Sequence, residues 1–381
     1  MFGIRIVRAV TLLAASLALL SLFDIAHAQT VVIGVNAVNP LRSSVADQNA
    51  LIAQLKTAHV RIIRCGISSD AKGIDFAKRL YAQGIKIQLI VSPEYSPNAP
   101  VRPYKPDEFP QMWGGHPLSS ADPTLSKAAF QTLFNSLDAN GIGLAGVELG
   151  NEINWAAFNP EFPLPGEGKT FTLSDLSNDP EGKQIAKGFV QYLKVVTVLK
   201  DVRDHSKLNR HTPIISAGMV DAVDGAKLYN NKKEDMVGLS ATLTFLRQHG
   251  LDSLVDAYGV HTYPSPGQPG NSSAAAQRTA HFMNVAMAEC RPRGAGGGKP
   301  CWITEWGFPN SSATCPIHDE SRTLLVKEMR ANFATVVAQK RLAGFTYFSW
   351  DSDPWSKSVA ADSVFRCGEL TEAGKLAVAP M

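Results

Sequence analysis

Leu144-Ala145-Gly146-Val147-Glu148-Leu149-Gly150-Asn151-Glu152-Ile153-Asn154 is the stretch from which the fold is read. Its first six residues have the length and apolar content of a buried strand, and its end delivers an amide and a carboxylate. Cys301-Trp302-Ile303-Thr304-Glu305-Trp306-Gly307 makes a second such delivery. Outward from these, strands are expected over 31–36, 60–64, 85–91, 213–218, 255–261 and 344–350. Helical spacing of apolar residues is expected over 45–58, 71–83, 126–140, 184–204, 238–249, 274–290 and 321–340. Eight strands alternate with helices without a break in composition. That pattern predicts the α/β class and a single (β/α)8 TIM barrel, with long βα loops after strands three and four, over 92–124 and 155–182.

The 381 residues are 45% hydrophobic and 19% charged, enough for one large core. Arg5 and Arg8 precede an apolar run from Ala9 to Phe23, and Ala26-His27-Ala28 supplies small residues where a signal peptidase reads. The expectation is a secretory signal over 1–28, a barrel domain over 29–381, and a periplasmic or extracellular protein. Ser16 and Ser21 interrupt the run and Asp24 stops it, short of the ~20 residues of a membrane span. No stable membrane insertion is expected. The net charge of +3 includes no dense basic block, so nucleic acid is not an expected partner. Oligomeric state is left open.

Five cysteines allow at most two intramolecular disulfides. Cys290 and Cys301 flank a Pro/Gly-rich loop and form the first candidate pair, Cys315 and Cys367 the second. Cys65 is the candidate free thiol. Spacing alone fixes no connectivity. No Gly-rich nucleotide loop is present, since the glycines at 294 and 296–298 lead into Lys299-Pro300. No cofactor is expected.

In a barrel of this kind, functional groups gather where strands end. Strands four and seven lie on opposite sides of the ring, so Glu152 and Glu305 face each other over its mouth. Two facing carboxylates suit glycosidic bond cleavage, one protonated to assist the leaving oxygen and one ionised. Asn151 has an amide able to donate to a sugar hydroxyl. Arg64 is placed to hold Glu305 ionised, whereas Arg61 has the opposite strand parity. Glu148 shares the parity of Glu152 and is placed below the site in support of Arg64. No second histidine or cysteine lies at ligand spacing from His261, so a hydrogen-bonding role is expected there, and no metal.

Several of these motifs resemble those of the large clan of retaining glycoside hydrolases with catalytic glutamates on strands four and seven of a (β/α)8 barrel. Gly150-Asn151-Glu152 resembles the clan's Asn-Glu motif, which implies Glu152 as acid/base and Asn151 as donor to the 2-hydroxyl. Ile303-Thr304-Glu305-Trp306-Gly307 resembles the motif ending strand seven, which implies Glu305 as nucleophile. Gly259-Val260-His261-Thr262-Tyr263 implies His261 as a subsite residue and Tyr263 as the hydroxyl that orients the nucleophile. The segment from Leu55 to Arg64 resembles the clan's second helix-to-strand passage, departing from it at His59, where relatives often carry glycine. Phe348-Ser349-Trp350 implies Trp350 as the sugar platform. Trp155, Trp306, Trp113 and Trp355 are further candidate walls, and Glu94, Asp351 and Asp353 candidate hydroxyl binders.

The expected activity is hydrolysis of O-glycosidic bonds, in a β-linked polysaccharide or oligosaccharide, by double displacement. A transglycosylase, a metal-dependent barrel enzyme and a non-catalytic carbohydrate-binding barrel are the alternatives.

Overall fold

The computed structural model describes residues 31–110, 112–226, 234–265, 267, 270–294, 297–310, 318–351 and 362–381. The expected signal at 1–28, together with Cys315, Asp353 and Trp355, lies outside them.

Apolar residues in short alternating runs form β1 (Val32–Asn36), β2 (Ile62–Gly66), β3 (Lys86–Val91) and β4 (Gly146–Leu149). Strand β5 comes in two pieces, Ile214–Ile215 and Met219–Val220, followed by β6 (Tyr258–Thr262), β7 (Cys301–Trp306) and β8 (Leu342–Tyr347). Among the described residues, the α-helices of seven residues or more are α1 (Val45–Thr57), α2 (Ala71–Ala82), α3 (Pro123–Ala139), α4 (Pro180–His205), α5 (Leu239–Gln248), α6 (Ser272–His281), α7 (Glu320–Ala338) and α8 (Glu372–Val378). Two of them, α3 and α4, start three and four residues earlier than apolar spacing predicts. Asp122 and Asp179 cap α3 and α4 through their carboxylates, with Pro123 and Pro180 in the first turn, where a missing N–H costs nothing. Among the described residues, no helix is long and apolar enough to cross a membrane.

The sheet is parallel throughout. It runs from the first piece of β5 through β4, β3, β2, β1, β8, β7 and β6 to the second piece of β5. Its first piece pairs with β4 and its second with β6, and Ile215 also bridges Ala257. One stretch of chain therefore serves both edges, and the sheet closes into an α/β barrel. Val35, Ile63, Leu89, Val147, Ile214, Val260, Ile303 and Phe345 belong to the buried apolar core.

The barrel interior divides into two layers. At its N-terminal end Trp302 packs with Ile215 and Ala257. A Cβ on Gly344 would stand 2.5 Å from the indole, so that strand carries glycine to make room. Above it the inward positions are polar: Asn36, Arg64, Gln88, Glu148, Thr304 and Thr346 are all buried.

Cys290 and Cys301 are disulfide-bonded, and Cys65 is a buried free thiol. His59 has φ 57°, the left-handed conformation that suits glycine. His59 N donates to Lys56 O and Val60 N to Leu55 O, the pattern of a Schellman helix end. The departure at His59 thus strains one turn and leaves the strand that follows intact.

Gly344→Ala is expected to destabilise the protein by about 1–3 kcal/mol, the usual range for overpacking. Urea unfolding measures it. An unchanged midpoint would contradict the assignment of Gly344 as the space for Trp302.

Candidate active site

Arg64 projects from β2 into the barrel, buried to 2% exposure. A guanidinium has five N–H groups, and here each has an acceptor. Nε donates to Glu148 Oε2 at 2.7 Å and Nη2 to Glu148 Oε1 at 2.9 Å, a bidentate pair. Nη1 donates to Asn36 Oδ1 at 2.7 Å and to Glu305 Oε1 at 2.6 Å. The remaining Nη2 proton reaches Asn151 Oδ1 at 3.1 Å. Burial by itself lowers the Arg64 pKa, but the charges of Glu148 and Glu305 outweigh it and hold the group raised.

Glu148 is itself fixed on every side. Gly218 N and Thr304 Oγ1 donate to Oε1 at 2.9 and 3.1 Å, and Gln88 Nε2 to Oε2 at 3.1 Å. Thr346 Oγ1 in turn donates to Gln88. Neighbouring Thr304 and Glu305 both turn inward, against the alternation of a regular strand. The β6–β7 register explains this: it shifts between Ile303 and Glu305, a bulge that aims two successive side chains into the barrel.

Glu305 Oε2 accepts from the Tyr263 hydroxyl at 2.6 Å. Tyr263 is 42% exposed, but its hydroxyl end is sunk against the carboxylate. Its pKa is held well above the usual phenol value by burial and then by the charge of Glu305. Glu152 lies just past β4 with φ 44°, a left-handed conformation that costs a non-glycine residue about 1–3 kcal/mol. Three contacts impose it. Glu152 N donates to Gly218 O at 2.7 Å. Asn154 ties the loop to both the N–H and the carbonyl of Val220. Asn159 Nδ2 donates to Ile153 O at 2.7 Å.

His261 bridges the two glutamates. Its Nδ1 is 2.7 Å from Glu152 Oε1 and its Nε2 is 3.5 Å from Glu305 Oε1. One oxygen of Glu152 and one of Glu305 lie within 4.8 Å of each other. Gly218 makes this packing possible, because a Cβ there would fall 2.1 Å from His261 Nε2.

Burial raises both carboxyls above the usual range, but the opposition differs. Glu305 has a guanidinium and a phenol hydroxyl in direct contact, both favouring its ionised form. Glu152 is hydrogen-bonded to His261, which together with the charge of Arg64, out of direct contact, favours its ionised form, while the charge of Glu305 pushes it up. The arrangement therefore favours a proton on Glu152 and charge on Glu305.

Glu152, His261 and Glu305 also have the donor types of a metal site. Arg64 argues against that use. Its charge sits 2.6 Å from Glu305 and Nη2 is 3.4 Å from His261 Nε2, so a cation there would face a fixed positive charge.

The structure brings Asn151, Glu152, Glu305, Arg64, His261 and Tyr263 together, with Glu148 beneath them. Asn36, Gln88, Thr304 and Gly218 also belong to the cluster. Sequence reading did not single them out, although a polar residue at every second position of an apolar strand was the available sign. Two expectations are corrected. Trp350 lies beyond the end of β8 and is fully buried, its ring stacked on Phe365 at 5.3 Å and its Nε1 directed to Gln54 of α1, so no face is open to a sugar. Half-buried Phe348 instead meets Tyr263 edge to face at 6.2 Å. Trp306 is buried outside the barrel among Phe333, Phe345 and Tyr347, because it follows the inward Glu305 and takes the opposite face. Glu94 is exposed and contributes only backbone contacts, to Ser126 Oγ and Asp122 N. Trp155 is partly buried, with Nε1 donating to Glu234, and Trp113 is half exposed.

Arg64→Met should cost about 3–5 kcal/mol, since it strands buried carboxylates without their cation. The loss has a defined pH sense. A carboxyl raised in the folded state contributes stability below its unfolded pKa and loses it as pH rises. Removing the guanidinium raises Glu305 further, so the penalty should be larger at pH 8 than at pH 5. Urea unfolding at both values checks this, and a penalty that shrinks at pH 8 would contradict it.

No family profile and no curated protein sequence matches the chain. Solved structures do. The chain is similar to fungal β-1,4-galactanases, with TM-score 0.51 and 16% identity over 91% of this chain and 99% of that one. It is similar to a family 39 glycoside hydrolase from the gut symbiont Bacteroides cellulosilyticus WH2, at TM-score 0.51 and 15% identity over 92% of this chain and 63% of that one. A GH5-4 broad-specificity endoglucanase from an uncultured bacterium gives TM-score 0.50 and 14% identity over 92% and 95%. At these identities, what the chain shares with them is the α/β-barrel fold.

Proposed function

We propose that this chain is an exported, retaining glycoside hydrolase acting on β-linked polysaccharide or oligosaccharide, built as a single (β/α)8 barrel over residues 29–381. The observation that carries the reading is the Glu152–Glu305 pair, with oxygens within 4.8 Å and unequal surroundings. Retaining enzymes hold their carboxyls about 5–5.5 Å apart, whereas inverting ones leave room for a water at roughly 6.5–9.5 Å. The fold shared with galactanase, family 39 and endoglucanase structures supports the same reading. The disulfide fits an oxidising compartment.

Glu305 is the nucleophile. Its carboxylate bonds to the anomeric carbon as the glycosidic C–O bond breaks, and the departing oxygen takes the bond's electrons and the proton of Glu152. Glu152 then removes a proton from water, which displaces Glu305 from the anomeric carbon. Arg64 and Tyr263 orient the nucleophile through one oxygen each. Asn151 Oδ1 is taken by Arg64, so its amide N–H groups are what it offers a sugar hydroxyl. A bond made there that tightens in the transition state lowers the barrier.

Glu305→Ala is expected to lower kcat on aryl β-galactoside, β-xyloside or β-glucoside by on the order of 10⁴-fold. Azide should restore turnover and give a glycosyl azide of the opposite anomeric configuration to the normal product. Activity above a tenth of the parent value, or an azide product of unchanged configuration, would sink the assignment. The raised Glu152 carboxyl sets the alkaline limb of the parent pH–rate profile, and Glu152→Gln should flatten that limb.

A further inference from the structure

We propose that His281 is a positioning residue for the reaction. Through Asp221 and Thr262 it fixes the end of β6, and with it the two side chains that contact the carboxylate pair. This rests on the proposed hydrolase reading and extends it to the helix layer outside the barrel. His261 and Tyr263, the contacts of Glu152 and Glu305, stand on either side of Thr262 in the sequence. Whatever holds Thr262 therefore sets the backbone that carries both.

Alternation along β6 turns His261 inward and Tyr258, Val260 and Thr262 outward. Tyr258 and Val260 belong to the buried apolar core, as an outward row covered by helices should. Thr262 breaks that row. It is fully buried, yet its hydroxyl donates to Asp221 Oδ2 at 2.7 Å. The same oxygen lies 2.7 Å from Nε2 of His281, the last residue of α6. A carboxylate oxygen only accepts, so Nε2 is the nitrogen that carries the proton there.

The sheet leaves this point open on one side. The second piece of β5 pairs with β6 at Met219–Val260 and Val220–His261 and ends there, one residue short of Thr262. On the other side Trp306 of β7 still pairs with Thr262. Past the last β5 pair, the Asp221 side chain takes over from the ladder. Asp221 is itself placed, because Asn154 binds both the N–H and the carbonyl of the preceding Val220. His281 is placed from the opposite side, since Arg278, one turn earlier on α6, pairs with Glu328 of α7 through bonds of 2.9 and 2.6 Å. Two fixed elements thus meet on one carboxylate oxygen. The Asp221 side chain is 18% exposed, so without His281 it is free to turn toward water. The end of β6 then loses its tether on the β5 side, and Tyr263 its alignment on Glu305.

The test uses the full chain and two readouts, one of them free of substrate. On aryl β-glycosides, His281→Ala is expected to lower kcat about tenfold with KM changed less than about twofold, the mark of misplaced catalytic groups. His281→Gln, which keeps an N–H donor near the Nε2 position, should recover most of the loss. Thr262→Val should cost as much as His281→Ala, and the double variant little more than either, because one chain of bonds is cut twice. In carbon-13 titration of labelled glutamates, His281→Ala should move Glu305 to higher pH by about half a pH unit as the Tyr263 bond weakens, and His281→Gln should not. Full kcat in His281→Ala, a Gln variant as slow as the Ala variant, or losses that multiply in the double variant overturn the inference. Should His281→Ala fail to fold, Thr262→Val and its rescue by Thr262→Ser carry the same comparison. The two readings fail separately. A Glu305 shift reversed by His281→Gln in a chain that hydrolyses no glycoside removes the hydrolase and leaves the positioning role. Hydrolysis with kcat and Glu305 both indifferent to His281→Ala does the opposite.

Discussion

A single buried guanidinium organises the mouth of this barrel. Taking Arg64 out of water costs several kcal/mol, and only a full set of acceptors offsets it. Glu148 supplies two of them and, through Gly218, Thr304 and Gln88, connects Arg64 to β3, β5 and β7. Asn36 supplies another from β1, and Asn151 and Glu305 complete the set. Because no N–H is left over, the two carboxylates on Arg64 cannot exchange places without stranding a donor. Glu148 is thereby committed to structure and Glu305 to the site.

The same constraint explains irregularities in an otherwise regular sheet. The bulge in β7 lets Thr304 serve Glu148 while Glu305 serves Arg64. The break in β5 frees Gly218 to donate to Glu148 and accept from Glu152, so one residue couples the floor of the site to its rim. The left-handed backbone at Glu152 is the strain that this coupling maintains. His261 fits against Gly218 only because no Cβ is present. Strand distortion, glycine placement and carboxylate asymmetry are thus consequences of one buried charge.

The strand count and the pairing of Glu152 with Glu305 were legible in sequence, since apolar runs with a terminal carboxylate carry that information locally. Arg64 over Arg61 followed from strand parity, and Glu148 from its two-residue step to Gly150 and on to Glu152. The starts of α3 and α4 were misplaced because apolar spacing begins after the Asp-Pro caps that set them. Trp306 could have been placed outside the barrel by its alternation with Glu305. Trp350 could not, because the chain leaves β8 at Tyr347 and its course beyond is set by tertiary contacts with α1 and Phe365. The bulge in β7 and the break in β5 also left no local mark, since long-range hydrogen bonds impose both.

The central claim is that Arg64 and Tyr263 hold Glu305 ionised while burial keeps a proton on Glu152. Carbon-13 titration of carboxyl-labelled glutamates tests it directly and needs no substrate, with Glu152→Gln and Glu305→Gln assigning the two resonances. The expected result is that Glu305 loses its proton first and that Glu152 titrates above the ordinary carboxylate range. Glu305 titrating at higher pH than Glu152 would contradict the assignment of nucleophile and acid.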